Sequence, residues 1–299
     1  MGINDSSVKI KQEYISSKGK LSMKKVMPNI VVFVFFVILA ILALFPFYYL
    51  LIGSFKPATE LFRKGLDMKI DLNIMSFKNY AILFSEEGSL YRQWYKNSLL
   101  ITLVGTVVTV LLSSMVGYGL AKYQFKGKNL VFMLVLLIIF VPFEILLLPL
   151  YRLILSFRLI NTYWGVILPG IVSPIAVFFF RQYAEGLPNE LMDAARIDGA
   201  TEFGIYWRIM VPLMKPAFGA MAIFVALGNW NNFVWPLIVM RTEDMFTLPV
   251  GLMTLLTPYG SNYQILLAGS ALAIVPIIIL FLINQNAFIS GLTGGSIKE

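Results

Sequence analysis

The sequence predicts an all-α, polytopic membrane protein with six transmembrane helices. Of its 299 residues, 58% are hydrophobic and only 13% are charged, whereas about 25% of residues are charged in an average soluble domain. The hydrophobic residues occur in long blocks, which is typical of segments that cross lipid. Six blocks are long enough to cross about 30 Å of hydrocarbon at about 1.5 Å per residue. They cover residues 28–54, 95–121, 129–151, 164–186, 215–239 and 264–289.

Basic residues predict the orientation of these spans. The N-terminal segment has six lysines, and the short link 122–128 has three lysines and no acidic residue. Since lysine and arginine concentrate on the cytoplasmic side, we expect residues 1–27 and the tail 290–299 to be cytoplasmic. Residues 28–289 then form one six-span domain. The segment 55–94 is also basic, but longer segments can translocate despite their charge, and we expect an ordered extracytoplasmic flap there.

The composition argues against catalysis by this chain. It has no cysteine and no histidine, which removes disulfides, thiol nucleophiles, the usual zinc ligands and the commonest general base. We therefore predict no catalytic residue, no metal site and no bound cofactor. We assign the net charge of +8 to basic residues that flank membrane spans, not to a nucleic-acid surface.

The most informative segment is the polar loop 187–216 between the fourth and fifth spans. It predicts two short amphipathic helices separated by Gly199, because a left-handed glycine commonly ends a helix. Thr201 or Asp198 can cap the second helix. The first helix is expected to present Leu191, Ala194, Ala195 and Ile197, and the second to bury Phe203, Tyr206, Trp207 and Met210 as one stripe. The pattern alone fits either a knob that fills a groove of a partner or a hairpin lying on the membrane surface.

One motif in this loop resembles that of a known family. The residues D-A-A at 193–195, Gly199, and I-x-V-P at 209–212 are similar to the EAA motif of binding-protein-dependent ABC importer permeases. That motif reads E-A-A-x3-G-x9-I-x-L-P, and its position between spans four and five of six also matches. Asp193 replaces the glutamate and Val211 replaces the leucine, and both replacements keep charge or shape.

The resemblance extends over most of the chain. The stretches DGATEFGIYWRIMVPLMKPA, NWNNFVWPLIV and FISGLTGGSIKE are similar to the sugar-importer branch typified by the second permease subunit of the maltose transporter. Within it, FPFYYLLIGSFKP, SFKNY and VSPIAVFFFRQYAEGLP most resemble arabino-oligosaccharide permeases of Gram-positive bacteria. The resemblance implies the fold of an ABC type I importer permease, and oligosaccharide transport with arabino-oligosaccharides as the expected substrate.

The resemblance also implies a role for the loop. In the family, the EAA loop forms a coupling helix that docks into a cleft of a cytoplasmic ATPase. Carried over to this chain, Asp193 takes the position of the acidic residue, Ala194 and Ala195 pack into the cleft, and Gly199 provides the turn. The expected coupling residues are Glu190, Asp193, Ala194, Ala195, Asp198, Gly199, Phe203 and Pro212.

The expected partners follow from the same resemblance. They are a homologous second permease subunit that forms a heterodimer with this chain, two ATPase subunits, and an extracellular sugar-binding lipoprotein. ATP and magnesium are expected to be used by the partner ATPase, because this chain has no phosphate-binding GxxxxGK[ST] motif. Closure of the ATPase dimer would move both coupling loops and, through rigid helices, the membrane spans.

Polar residues within the spans are candidates for a sugar path. Asparagine amides can bind hydroxyl groups, and indole rings can stack on sugar rings. The fifth predicted span contains such residues at helical spacing: Asn229, Trp230, Asn231, Asn232 and Trp235. The same residues fit a second interpretation, in which they hold helices together or mark the membrane interface.

Glu144 is the one acidic residue well inside a predicted span. An intramembrane carboxylate commonly faces a cavity or a partner, so Glu144 joins the candidates, although a locally bonded glutamate near the interface fits as well. An ion-coupled secondary sugar transporter is the main alternative function, and it requires ion-coupling groups and commonly repeats. A membrane enzyme requires a nucleophile, base or metal cluster, which these residues do not assemble.

Overall fold

The computed structural model describes residues 23–57, 69–256 and 262–293, which form helices and no strands. The predicted termini, 1–27 and 290–299, lie mostly outside these ranges. The helices are α1 (Met23–Ser54), α2 (Lys78–Phe84), α3 (Ser89–Lys122), α4 (Lys128–Ile139), α5 (Phe143–Ser156), α6 (Tyr163–Ile167), α7 (Pro174–Glu185), α8 (Glu190–Ile197), α9 (Glu202–Ile205), α10 (Val211–Leu213), α11 (Lys215–Trp230), α12 (Val234–Val239), α13 (Leu248–Thr254) and α14 (Tyr263–Thr293). A π-helical turn, Tyr206–Met210, joins α9 to α10.

Three helices are long and apolar enough to cross a membrane alone, namely Ile30–Ser54, Glu86–Lys122 and Tyr263–Ile283. Three pairs of consecutive helices, each bent by more than 40°, meet the same criteria only if each pair counts as one span. The described residues therefore hold three spans, or up to six. The all-α, multi-span architecture is confirmed, and the count of six stays a prediction.

The third and fourth hydrophobic blocks do not form single straight helices over 129–151 and 164–186. α4 and α5 are bent by 106°, and Pro142 precedes α5 with φ −60° and ψ 130°. A proline lacks an amide hydrogen, and its ring clashes with the carbonyl four residues earlier, so a continuous helix is disfavoured there. α7 likewise begins at Pro174, after a bend of 45°.

The fifth block is also interrupted, so the prediction of one helix over 215–239 is wrong. α11 ends at Trp230, and α12 starts only at Val234. The Asn231 amide donates to the Leu227 carbonyl at 3.0 Å, which satisfies an acceptor at the helix end. Pro236 also disfavours a continuous helix here, because its ring would clash with the carbonyl of Asn232, four residues earlier.

The second span, α3, lies at the centre of the packing and contacts both α7 and α11. Glycine permits the close approach to α7, since a Cβ on Gly117 would lie 2.7 Å from the Cβ of Phe180. Small residues allow such packing between membrane helices. Polar side chains of α3 are buried at the same contacts, and the Thr109 hydroxyl donates to the Gly170 carbonyl at 3.0 Å. Movement of α3 must therefore affect both neighbouring helices.

Candidate functional site

The loop between α7 and α11 folds into two helical arms joined by a tight turn. The first arm is α8, and the second is α9 with the π-helical turn and α10. Gly199 has φ +77°, the left-handed conformation that was predicted for it. The Thr201 hydroxyl accepts a hydrogen bond from the Gly204 amide at 3.1 Å, so the predicted cap of the second arm is confirmed at Thr201. Pro212 lies in the first turn of α10.

The first arm presents Leu191, Ala194 and Ile197 as predicted, but it buries Ala195. Met192 and Ala195 are buried at 2% and 6% exposure, and both belong to an apolar core that also contains Tyr118 of α3. The expectation that Ala195 is presented to a partner is therefore wrong, because its methyl group packs inside this chain. Ala194, by contrast, is exposed.

The second arm does not bury Phe203, Tyr206, Trp207 and Met210 as one stripe. Tyr206 and Met210 are buried at 3% and 0% exposure, whereas Phe203 is 62% exposed. The arm contains a π-helical turn over Tyr206–Met210, so its residues depart from the period of 3.6 residues per turn on which the predicted stripe was based. Phe203 and Trp207 instead form an edge-to-face pair, with ring centroids 6.0 Å apart.

The two arms together present an exposed apolar surface, which we call the outer face and define as Leu191, Ala194, Ile197 and Phe203. Ile197 is 86% exposed and Phe203 is 62% exposed, and a contiguous exposed apolar patch commonly marks an interaction site. Three exposed carboxylates flank this surface: Glu190, Asp193 and Asp198. The outer face thus combines exposed apolar side chains with negative charge, a pattern that suits an apolar groove with basic residues at its edges.

A network of charged groups fixes the angle between the arms. The Arg196 guanidinium of α8 donates to both Glu202 carboxylate oxygens of α9, at 2.7 and 3.1 Å, and to Asp193 at 2.8 Å. The Tyr123 hydroxyl also donates to Glu202, at 2.5 Å. Arg196 and then Tyr123 hold the pKa of the Glu202 carboxyl at about 2, so it stays ionised at any physiological pH.

The loop is also bonded to the end of the second span. The Lys122 ammonium donates to the Leu187 carbonyl and to the Asn189 side-chain oxygen at 2.8 Å. Deeper in the protein, the hydroxyl groups of Ser114 and Tyr206 lie 2.6 Å apart. Sequence analysis used Lys122 only for the orientation of the spans and Tyr206 only as part of the predicted stripe; it missed these bonds because the partners are distant in the chain. The one available signal was the presence of hydroxyl groups within an otherwise apolar span.

A family model identifies the kind of protein that carries this loop. The model for binding-protein-dependent transport system inner membrane components matches residues 109–291, more than half of the chain. The chain belongs to that family. This permease is 59% identical over 264 residues to the arabinooligosaccharides transport system permease protein AraQ of Bacillus subtilis, covering 88% of this chain and 94% of that protein. It is 34% identical to the lactose transport system permease protein LacG of Rhizobium radiobacter, covering 91% of this chain and 98% of that protein.

A solved structure agrees with the fold of the permease. A chain from the crystal structure of a bacterial ABC transporter involved in the import of alginate superposes with a TM-score of 0.79 at 22% identity. The superposition covers 89% of the permease and 98% of that chain. The fold predicted from the resemblance, that of an ABC importer permease, is therefore confirmed together with the family.

The structure gives the predicted sugar-path residues of the permease different surroundings. The Trp235 indole is 1% exposed and donates to the Gly165 carbonyl at 3.1 Å, and the Trp230 indole donates to the Ala273 carbonyl at the same distance. Both rings hold helices together in this conformation. The Asn229 amide lies 3.3 Å from the Thr106 hydroxyl of α3.

The remaining candidates differ in their exposure. Asn231 is exposed and lines a pocket of about 350 Å³ with Trp230 and Ser270, whereas Asn232 is half-buried. Glu144 is exposed in the first turn of α5, where the helix dipole favours a negative charge. Asn231 is therefore the predicted residue best placed to meet a solute.

Proposed function

We propose that this permease imports arabino-oligosaccharides in an ATP-driven transporter. The observation that carries the substrate assignment is its similarity to two arabinooligosaccharide permeases, at 59% and 57% identity over most of the chain. Similarity to two permeases named for other sugars is much lower, at 34% for lactose and 31% for galactooligosaccharides. The sugar is delivered by an extracellular binding protein, and one related structure, of an alginate transporter, is described as a complex with a periplasmic protein bound to an alginate pentasaccharide.

The loop 187–216 is proposed to dock onto a cytoplasmic ATPase through its outer face. Burial of Ile197 and Phe203, which are 86% and 62% exposed, would remove apolar surface from water and so favour association. The flanking carboxylates of Glu190, Asp193 and Asp198 would orient the docked loop by charge. The bonded network of Arg196 supports this role, because its hydrogen bonds to Glu202 join the two arms.

The remaining parts of the transporter are proposed on the same basis. A homologous permease forms a heterodimer with this chain. Each of the two ATPase subunits binds the loop of one permease. ATP and magnesium are bound by those ATPase subunits. Both termini and the loop 187–216 face the cytoplasm, and the segment 55–94 faces outward. This orientation is supported by the lysines of the N-terminal segment and of the link 122–128.

Reconstitution in proteoliposomes tests this function. Vesicles containing this chain, the partner permease, the ATPase and the binding protein are expected to take up arabino-oligosaccharides when ATP is present inside. Vesicles that lack only this chain, and complete vesicles offered free glucose, should take up none. Uptake driven by a proton or sodium gradient without ATP would contradict the ATP-driven mechanism. ATP-driven uptake of other oligosaccharides but not of arabino-oligosaccharides would contradict the substrate assignment alone.

A further inference from the structure

Glu202 lies where the two arms of the loop meet the end of the second span. On one side its carboxylate binds the Arg196 guanidinium through two hydrogen bonds of 2.7 and 3.1 Å. On the other side it accepts the Tyr123 hydroxyl at 2.5 Å. Bidentate pairs between arginine and carboxylate are directional as well as strong, so the three side chains form a continuous chain of bonds from α8 to the end of α3.

Tyr123 is well placed to carry force into the second span. It is the first residue after α3, and its amide still donates to the Gly119 carbonyl of the last helical turn. Its ring packs edge-to-face against Tyr118 of α3, with centroids 5.5 Å apart, and the two hydroxyl groups lie 3.3 Å apart. The hydroxyl is therefore fixed to the helix by backbone, ring and side-chain contacts.

The opposite end of α3 is bonded to a different loop. The Trp94 indole donates to the Glu243 carbonyl at 2.7 Å, and the Asn97 amide donates to the Asp244 and Phe246 carbonyls at 2.8 and 2.9 Å. A helix of 34 residues is about 50 Å long, so α3 connects two loops on opposite sides of the protein. Hydrogen bonds fix both ends.

We propose that the bonds from Arg196 through Glu202 to Tyr123 pass movement of the docked loop to the second span. The three residues are positioning residues: they hold the loop at a fixed angle to α3 and do not themselves contact the ATPase. This proposal rests on the proposed docking of the outer face onto an ATPase. It adds that docking and transmission depend on different residues.

The test is Tyr123→Phe in the complete transporter, reconstituted with the partner permease, the ATPase and the binding protein. The change removes one hydroxyl and keeps the ring contact with Tyr118, so the permease should fold and retain the ATPase at wild-type stoichiometry. ATP hydrolysis stimulated by the sugar-loaded binding protein should fall at least about threefold, because a hydrogen bond to a charged group is lost. Sugar uptake should fall by a similar factor.

Tyr183→Phe is the matched control. Tyr183 packs against the same apolar core as Tyr123, and its hydroxyl has no hydrogen-bond partner among residues 23–57, 69–256 and 262–293. Wild-type hydrolysis and uptake are expected for this variant. If both variants lose activity equally, general loosening of the core is responsible and the proposal is wrong.

A double-variant comparison tests whether the bonds act as one chain. If Tyr123 acts through Glu202, then Tyr123→Phe combined with Glu202→Ala should be no less active than Glu202→Ala alone. Additive losses would contradict transmission through this bond. The inference would also be wrong if Tyr123→Phe retained the ATPase and showed wild-type ATP hydrolysis and sugar uptake. The docking proposal would then still stand. Failure of the wild-type permease to retain the ATPase would contradict the docking proposal instead, and with it the basis of the inference.

Discussion

Replacement of Ala194 by tryptophan is expected to weaken ATPase association at least about tenfold, because an indole at the centre of the outer face would prevent close docking. Ala194 is exposed, so the larger side chain has room in the isolated permease, which should insert and fold normally. The measurement is the amount of ATPase that co-purifies with the permease pair, together with sugar uptake by the same preparation.

Two controls separate docking from folding in this experiment. Ala194→Ser keeps a small side chain and should retain ATPase and transport. Lys126→Trp adds the same bulk at another exposed position, on the link between α3 and α4, and should also be tolerated. Ala195→Trp is unsuitable, because Ala195 is 6% exposed within the core of the chain. Normal ATPase recovery and transport by Ala194→Trp would show that the outer face does not dock.

The second large effect is expected at Gly117, where the second span packs against α7. A Cβ at this position would lie 2.7 Å from the Cβ of Phe180 and 2.8 Å from the Val177 carbonyl oxygen. Gly117→Leu should therefore force the two helices apart and lower the free energy of unfolding by about 1–3 kcal/mol. Thermal unfolding of the detergent-solubilised transporter, followed by loss of monodisperse protein, measures this change.

Gly119 provides the matched control for this prediction. It lies two residues further along the same helix, and a Cβ there would meet no atom within 4 Å. Gly119→Leu should leave the unfolding temperature close to that of the wild type. Equal destabilisation by the two variants would indicate that helix propensity or lipid contact matters here, and not the close approach of α3 and α7.

The sequence predicted the parts of the fold that depend on local chemistry. Helices, the left-handed Gly199 and the Thr201 cap follow from the preferences of single residues and short patterns. The bends near Pro142 and after Trp230 were missed because a long apolar block is compatible with either one helix or two. Tertiary packing decides between them, and hydropathy carries no information about it.

The local structure of the candidate loop was predicted only in part. Helical periodicity grouped Ala194 with Ala195, yet only the packing of α8 against α3 shows which of them faces outward. The bond between Tyr123 and Glu202 joins residues 79 positions apart, and no pattern within a single sequence points to such a contact. For the same reason, the sequence could not show that the Trp230 and Trp235 indoles donate to backbone carbonyls of other helices.

The central claim, that the loop between α7 and α11 is the cytoplasmic docking element, is tested most directly by thiol labelling at Ile197. The chain has no cysteine, so Ile197→Cys introduces a single reactive group at a position that is 86% exposed. A charged maleimide should label it in inside-out vesicles stripped of the ATPase but not in intact cells, and bound ATPase should block labelling. Lys126→Cys should label in the same vesicles with or without ATPase. Labelling of Ile197→Cys in intact cells, or at an unchanged rate with ATPase bound, would contradict the docking of this loop.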